Sequence, residues 1–128
     1  MSKILILGGY GYTGKLLAKH LLARTDVEII ISGRSLEKAK SFADGLNASR
    51  VTARQVDASD FDSLKQALQG VTLCLVAAPT THHAETVIRA CIAAHVDYLD
   101  IQFSSRKLKA LYDAEDEIKK AGLCFITE

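Results

Sequence analysis

Four glycines, Gly8, Gly9, Gly11 and Gly14, fall within seven positions of the stretch LGGYGYTGK. A turn without side chains lets an anion come against backbone N–H groups, and the anion that suits a strand-to-helix junction is a pyrophosphate. Read from Gly9 the spacing is G-x-G-x-x-G, the dinucleotide fingerprint. Read from Gly8 it is G-x-x-G-x-x-G, the variant associated with short-chain dehydrogenases. Tyr10, Tyr12 and Thr13 stand between the glycines, as lid or hydroxyl donors to a ligand or as exposed loop residues. An ordinary glycine turn has the same letters, so the flanking segments have to carry the argument.

More candidates stand at the ends of later apolar runs. SGRS, Ser32 to Ser35, has no Asp or Glu where an NAD enzyme places one to accept from the ribose 2′-hydroxyl. Instead, Gly33 leaves room, Arg34 offers a planar fork to phosphate oxygens, Ser32 and Ser35 offer hydroxyls, and Lys38 adds charge one turn on. That set favours NADP(H) over NAD(H); the competing reading is a solvated surface arginine. In VDASD, Asp57 can accept from an adenine amino group with Ala58 against the ring, or it can close an Asx-type turn, while Asp60 reads as a helix cap. In AAPTTHH, small Ala77 and Ala78 leave room for the nicotinamide ribose and Pro79 fixes the turn. His82 and His83 are adjacent, so on a helix they diverge, and no acid or sulfur lies at ligand spacing; no metal is expected. Tyr98 and Asp100 share one face of a strand, either as polar groups near a substrate or as strand-end residues making turns. His20 and His95 fall on apolar helical stripes and read as core histidines, and Cys74, Cys91 and Cys124 read as buried reduced thiols. No residue is singled out as catalytic.

Six strand-like runs position these groups, at 3–7, 27–33, 50–56, 72–78, 98–101 and 123–127. Helical patterns separate them: from the glycines to about Arg24, from Ser35 to Gly45, from Asp60 to Gly70, from after Pro79 to about His95, and from Ser104 or Ser105 to Gly122. The last is read as one helix with Leu108, Leu111, Tyr112 and Ile118 inward. This alternation predicts an α/β fold, a doubly wound, six-stranded parallel sheet of order 3-2-1-4-5-6 with helices on both faces. The polar alternation of RVTARQV suits a third strand at the sheet edge. The 128 residues make one domain, and apolar and charged fractions of 48% and 24% are those of a globular protein. A net charge of +1 gives no electrostatic reason to expect nucleic acid or an anionic membrane. There is no membrane span and no signal peptide, so a cytoplasmic location is expected, and a homodimer is left open.

ILILGGYGYTGKLLAKHL, ISGRSLEKA, VDASDFDSLKQAL, CLVAAP, ACIAAHVDYLDI and the closing ITE together resemble the amino-terminal NADP-binding domain of the saccharopine dehydrogenase and reductase family. The resemblance covers nearly the whole chain. AAHVDYLDI is similar to the family's A-G-V-x-Y-x-D, with His95 where glycine is usual. The resemblance implies that Gly9, Gly11 and Gly14 hold a pyrophosphate, Arg34 a 2′-phosphate and Asp57 the adenine of NADP(H). It also implies a small-molecule substrate taken by a carboxyl-terminal domain after Glu128, so that residues 1–128 bind cofactor without turning over substrate. The alternative is a stand-alone dinucleotide sensor of the atypical short-chain dehydrogenase type. The Tyr-x-x-x-Lys pair of an active short-chain enzyme is missing, since Tyr98 is followed by Gln102 and Tyr112 by Asp116.

Overall fold

In the first strand Leu5 and Leu7 face one way and Ile6 the other, and all three are buried. A strand apolar on both faces needs cover on both sides, which a parallel sheet receives from its crossover helices. The computed structural model describes residues 2–127 and shows that arrangement. In chain order the elements are β1 (Lys3–Leu7), α1 (Tyr12–Arg24), β2 (Glu28–Gly33), α2 (Leu36–Gly45), β3 (Val51–Gln55), α3 (Phe61–Ala67) and β4 (Leu73–Val76). A 3-10 turn (Thr81–His83), α4 (Ala84–Ala94), β5 (Asp97–Asp100), α5 (Ser105–Asp113), α6 (Glu115–Ala121) and β6 (Phe125–Ile126) complete it. The sheet is parallel throughout, in the order β3-β2-β1-β4-β5-β6, as the alternation predicts.

The chain moves outward from β1 through β2 to β3, then returns to β4 and moves outward the other way. Right-handed crossovers therefore place the two sets of helices on opposite faces. One core packs Ile6, Ile29 and Ile31 against Ala18 of α1 and Ala39 and Ala43 of α2. The other packs Leu5, Leu7 and Val76 against Leu64 of α3 and Val87, Ile88 and Cys91 of α4. Register aligns Ser32, Leu7, Val76 and Asp100 in one row across β2, β1, β4 and β5. The loops that follow these residues consequently open at a single edge. No helix among the described residues is long and apolar enough to cross a membrane.

Several local expectations are corrected. His20 is exposed, because α1 approaches the sheet along Gly14 and Ala18, whose small size lets it come close, and His20 lies about half a turn from Ala18. Cys124 is exposed beside the two-residue edge strand β6, whereas Cys74 and Cys91 are buried, with the Cys74 contact and burial pushing the Cys91 thiol up. The final helix breaks at Ala114, where Glu115, Asp116 and Glu117 suit the positive end of a new helix; Tyr112 points outward. His95, also exposed, ends α4 in the left-handed region at φ 61°.

His95 N–H bonds the Ile92 carbonyl and Val96 N–H the Cys91 carbonyl, a Schellman ending. Gly122 closes α6 by the same pair of bonds at φ 68°. A Cβ is penalised in this conformation, so His95→Gly is expected to stabilise the domain by about 0.5–1 kcal/mol, net of the freedom glycine adds to the unfolded chain. Calorimetry should record a rise in melting temperature of about 2–5 °C.

Candidate functional site

Backbone passes against backbone where β1 ends. Gly8 turns at φ 83°, and the N–H groups of Gly8 and Gly9 both donate to the Ser32 carbonyl at 3.0 Å. A Cβ on Gly14 would lie 2.1 Å from the Gly8 carbonyl oxygen, one on Gly8 2.6 Å from Ala78 Cβ, and one on Gly9 2.9 Å from Ile31 Cγ2. These three glycines are required by the fold itself. Gly11 is different: a Cβ there meets only the Gly8 oxygen, at 3.3 Å, a close contact that a small shift relieves, so packing does not forbid a side chain at this position facing the cleft. Gly11 is also the N-cap of α1 and supplies no side-chain acceptor, and the first turn holds no acid. By contrast α2, α3 and α5 begin under the capping oxygens of Ser35, Asp60 and Ser104, while of the other two helices without a side-chain cap α4 follows a 3-10 turn and α6 carries three acids in its first turn. The first N–H groups of α1 thus keep their capacity to bind an anion.

A cleft of about 550 Å³ opens over that helix end. After β1 it is lined by Gly8, Tyr10, Gly11, Tyr12 and Thr13, at the end of β2 by Gly33 and Arg34, after β3 by Asp57 and Ala58, and after β4 by Ala77, Ala78 and Pro79. The sequence reading did not assign Leu7, Val56, Ser59, Thr80 or His83 to it, yet they complete its walls. Gly9 and Gly14 lie behind the lining, and Ser35 and Lys38 stand on the first turn of α2 next to Arg34. Ser32 does not reach the cleft: it is fully buried, and its hydroxyl donates to the Ile6 carbonyl at 2.8 Å. Tyr10 is a wall, not a lid; its ring lies over Gly33, where a Cβ would come within 2.5 Å, and its hydroxyl accepts from Ser35 N–H at 3.1 Å. Tyr12 is 86% exposed at the rim.

Charge is placed unevenly around the cleft. The Arg34 guanidinium is exposed and makes no salt bridge among the described residues, while the Arg34 carbonyl is held by Gln55 Nε2 at 3.2 Å. Asp57 Oδ1 accepts from Ser59 Oγ at 2.6 Å and Ser59 N–H at 2.9 Å, which is the Asx-type turn, made with the carboxylate still on the cleft wall. These two donors, Ser59 hydroxyl foremost, hold the Asp57 carboxyl below the ordinary carboxylate value, with smaller help from Arg34 and His83. Asp60 caps α3 through bonds from Asp62 and Ser63 N–H.

Tyr98 and Asp100 are buried rather than presented to a ligand. The Tyr98 hydroxyl donates to Asp100 Oδ2, and burial first, then the carboxylate, pushes its pKa up. Asp100 Oδ1 pairs with Lys107 Nζ at 2.7 Å, a partner the sequence reading missed. The available signal was a lysine on the inward stripe of a helix, four residues before Leu111.

The glycine geometry separates two substitutions. Gly11→Val should keep the melting temperature within a few degrees, and Gly14→Val should lower it by about 10 °C or more, both read by thermal unfolding of the free protein. Ser59→Ala removes the first donor to Asp57, so an NMR titration should find the Asp57 pKa raised toward the ordinary value. The depressed pKa contributes stability present in full above the unfolded-state pKa and lost as pH falls through the folded-state one; in the variant that contribution should be smaller and its loss complete at a higher pH.

Residues 4–123 match the family model described as the saccharopine dehydrogenase NADP binding domain. The chain is 29% identical over 124 residues to saccharopine dehydrogenase (NADP+, L-glutamate-forming) of Schizosaccharomyces pombe, covering 97% of this chain and 26% of that protein. It is 34% identical over 86 residues to glutamyl-tRNA reductase of Chlorobium luteolum, covering 67% of this chain and 18% of that enzyme. The apo saccharopine dehydrogenase (L-Glu forming) of Saccharomyces cerevisiae shares the fold with a TM-score of 0.85 at 24% identity, over 100% of this chain and 27% of that one. The chain spans about a quarter or less of the length of these relatives. With a glycine turn, an uncapped helix and a cleft at the β1–β4 switch point in place, the match over nearly its whole length settles its kinship: the chain belongs to the saccharopine dehydrogenase NADP binding domain family.

Proposed function

We propose that this chain is the cofactor module of an NADP-dependent oxidoreductase of the saccharopine dehydrogenase type, with NADP(H) lying along the cleft. The observation that carries the reading is the room at Gly11 over the uncapped start of α1, which packing does not require and a pyrophosphate would fill. Arg34, with Ser35 and Lys38 beside it, takes the 2′-phosphate; among the described residues no carboxylate forms a salt bridge with it, and the β2 end, Ser32 to Ser35, holds no acid, the first one being Glu37 in α2. Asp57 and Ala58 face the adenine, and the second oxygen of Asp57 is free to accept because Ser59 occupies the first. Ala77, Ala78 and Pro79 border the nicotinamide ribose.

Bound there, the nicotinamide supplies hydride transfer. This chain's residues bind and orient the cofactor, and the Ser59 hydroxyl, donating to Asp57 on the cleft wall, holds that carboxylate in place. In this reading the substrate is a small molecule held by protein outside residues 1–128, in keeping with relatives of which this chain spans 26%. The three free cysteines fit a cytoplasmic location.

Isothermal titration tests the assignment. Charge-assisted hydrogen bonds have a net worth that makes Arg34→Ala weaken NADPH binding about ten- to a hundredfold and leave NADH nearly unchanged. Equal losses for both cofactors would exclude the phosphate role. Gly11→Val should fold normally and lose the thermal shift that NADPH produces.

A further inference from the structure

The carboxyl end of β5 carries a polar cluster that lies outside the cleft. Asp100 and Lys107 are 2% and 1% exposed. Besides Lys107 and Tyr98, Asp100 accepts from Thr127 Oγ1 at 2.9 Å and from Gln102 N–H at 3.2 Å. Lys107 Nζ donates a second bond, to the Gln102 carbonyl. The Gln102 backbone is therefore clamped at both its N–H and its C=O by the two members of one buried ion pair. A side chain on so constrained a backbone has few directions open to it, and this one reaches the cleft wall. Its Nε2 donates to the carbonyl of Ala78.

Ala78 needs that anchor. β4 ends at Val76, and the wall that follows keeps three backbone bonds among the described residues, Ala77 N–H to the Leu7 carbonyl at 2.9 Å, Thr80 N–H to the Ala78 carbonyl at 2.7 Å and His83 N–H to the Thr80 carbonyl at 2.9 Å, the Ala78 N–H making none of them. Pro79 has no N–H to give. On its other side Ala78 abuts Gly8, at the distance that forbids a Cβ there, so any shift of Ala78 changes the width of the cleft between the glycine turn and the β4 loop. Arg34 and Asp57, which follow β2 and β3, make no bond to this cluster.

We propose that Gln102 is a positioning residue for the nicotinamide half of the cofactor: held by the Asp100–Lys107 pair, it fixes the Ala78 wall against the glycine turn. This rests on the NADP(H) reading above and adds to it a residue that does not touch the cleft. A cluster that only joined β5, α5 and β6 would need Asp100, Lys107 and Thr127 but would have no use for the Gln102 side chain. Nor would loss of that side chain discriminate between the two halves of a dinucleotide.

The experiment compares full-chain wild type, Gln102→Met and Gln102→Glu, titrated with NADPH and with adenosine 2′,5′-bisphosphate, which carries the adenine half alone. Gln102→Met should raise the Kd for NADPH about two- to tenfold, the range of one hydrogen bond, and leave the bisphosphate Kd unchanged. Gln102→Glu keeps the shape and sets an oxygen against the Ala78 carbonyl, so its loss should be at least as large. In the free protein, hydrogen exchange at the amides of Ala77 and Thr80 should quicken in both variants while the melting temperature stays within a few degrees. An unchanged NADPH Kd and unchanged exchange in Gln102→Met would overturn the proposal, as would equal losses for the two ligands. Wild type that bound neither ligand would instead overturn the cofactor reading, and this inference with it.

Discussion

The close crossing of backbone at Gly8 is the constraint on which the rest of the molecule depends. The Gly8 carbonyl lies where any side chain on Gly14 would stand, and Ala78 lies where any side chain on Gly8 would stand. Helix α1 can therefore start directly over the end of β1, and the loop after β4 can close against the same turn. Because β1 is the strand from which the chain winds in both directions, this crossing is also the place where the loops diverge and leave a cleft. Packing and site share one cause: backbone brought together where there are no side chains to hold it apart.

What surrounds the crossing is divided by charge. On the β2 and β3 side, Arg34 is exposed and makes no salt bridge among the described residues, and Ser59 holds the Asp57 carboxyl below its ordinary value, so that end offers a cation and an acceptor to a polar ligand. Toward β5 the charges are internal. Asp100 and Lys107 satisfy each other and the ends of β5, α5 and β6 within the protein, where removal of either partner would leave a buried charge uncompensated. Helix caps follow the same logic. Ser35, Asp60 and Ser104 satisfy the starts of α2, α3 and α5, and the start of α1 is left to whatever enters the cleft.

Much of the site was legible because its residues follow strand ends, and strand ends are marked by apolar runs meeting glycine, serine or proline. Tyr10, Gly11, Arg34, Asp57, Ala77 and Ala78 line one cleft, as their positions in the sequence suggested. Ser32 was misread because it also stands at a strand end; whether its hydroxyl faces a ligand or a neighbouring carbonyl depends on which way one residue points. His20 and His95 show the limit of periodicity. Around α1 the stripe that counts is made of Gly14 and Ala18, which an apolar scale hardly registers, and His95 occupies a turn that glycine usually fills.

The sequence by itself determined the order of strands, the faces of the helices, the glycine turn and the family. The family came from the resemblance of its motifs; the others follow from periodicity and turn chemistry, which act over a few residues at a time, and from the handedness of parallel crossovers. Tertiary structure alone decided that Lys107 finds Asp100, that Gln102 reaches Ala78 across 24 positions, that Asp57 is tied to Ser59 and still faces the cleft, and that Gly11, unlike Gly8, Gly9 and Gly14, is not closed off by its neighbours. The physical reason is that hydrogen bonds and close packing depend on distance and direction between groups far apart in the chain, and spacing along one strand or helix carries no record of either.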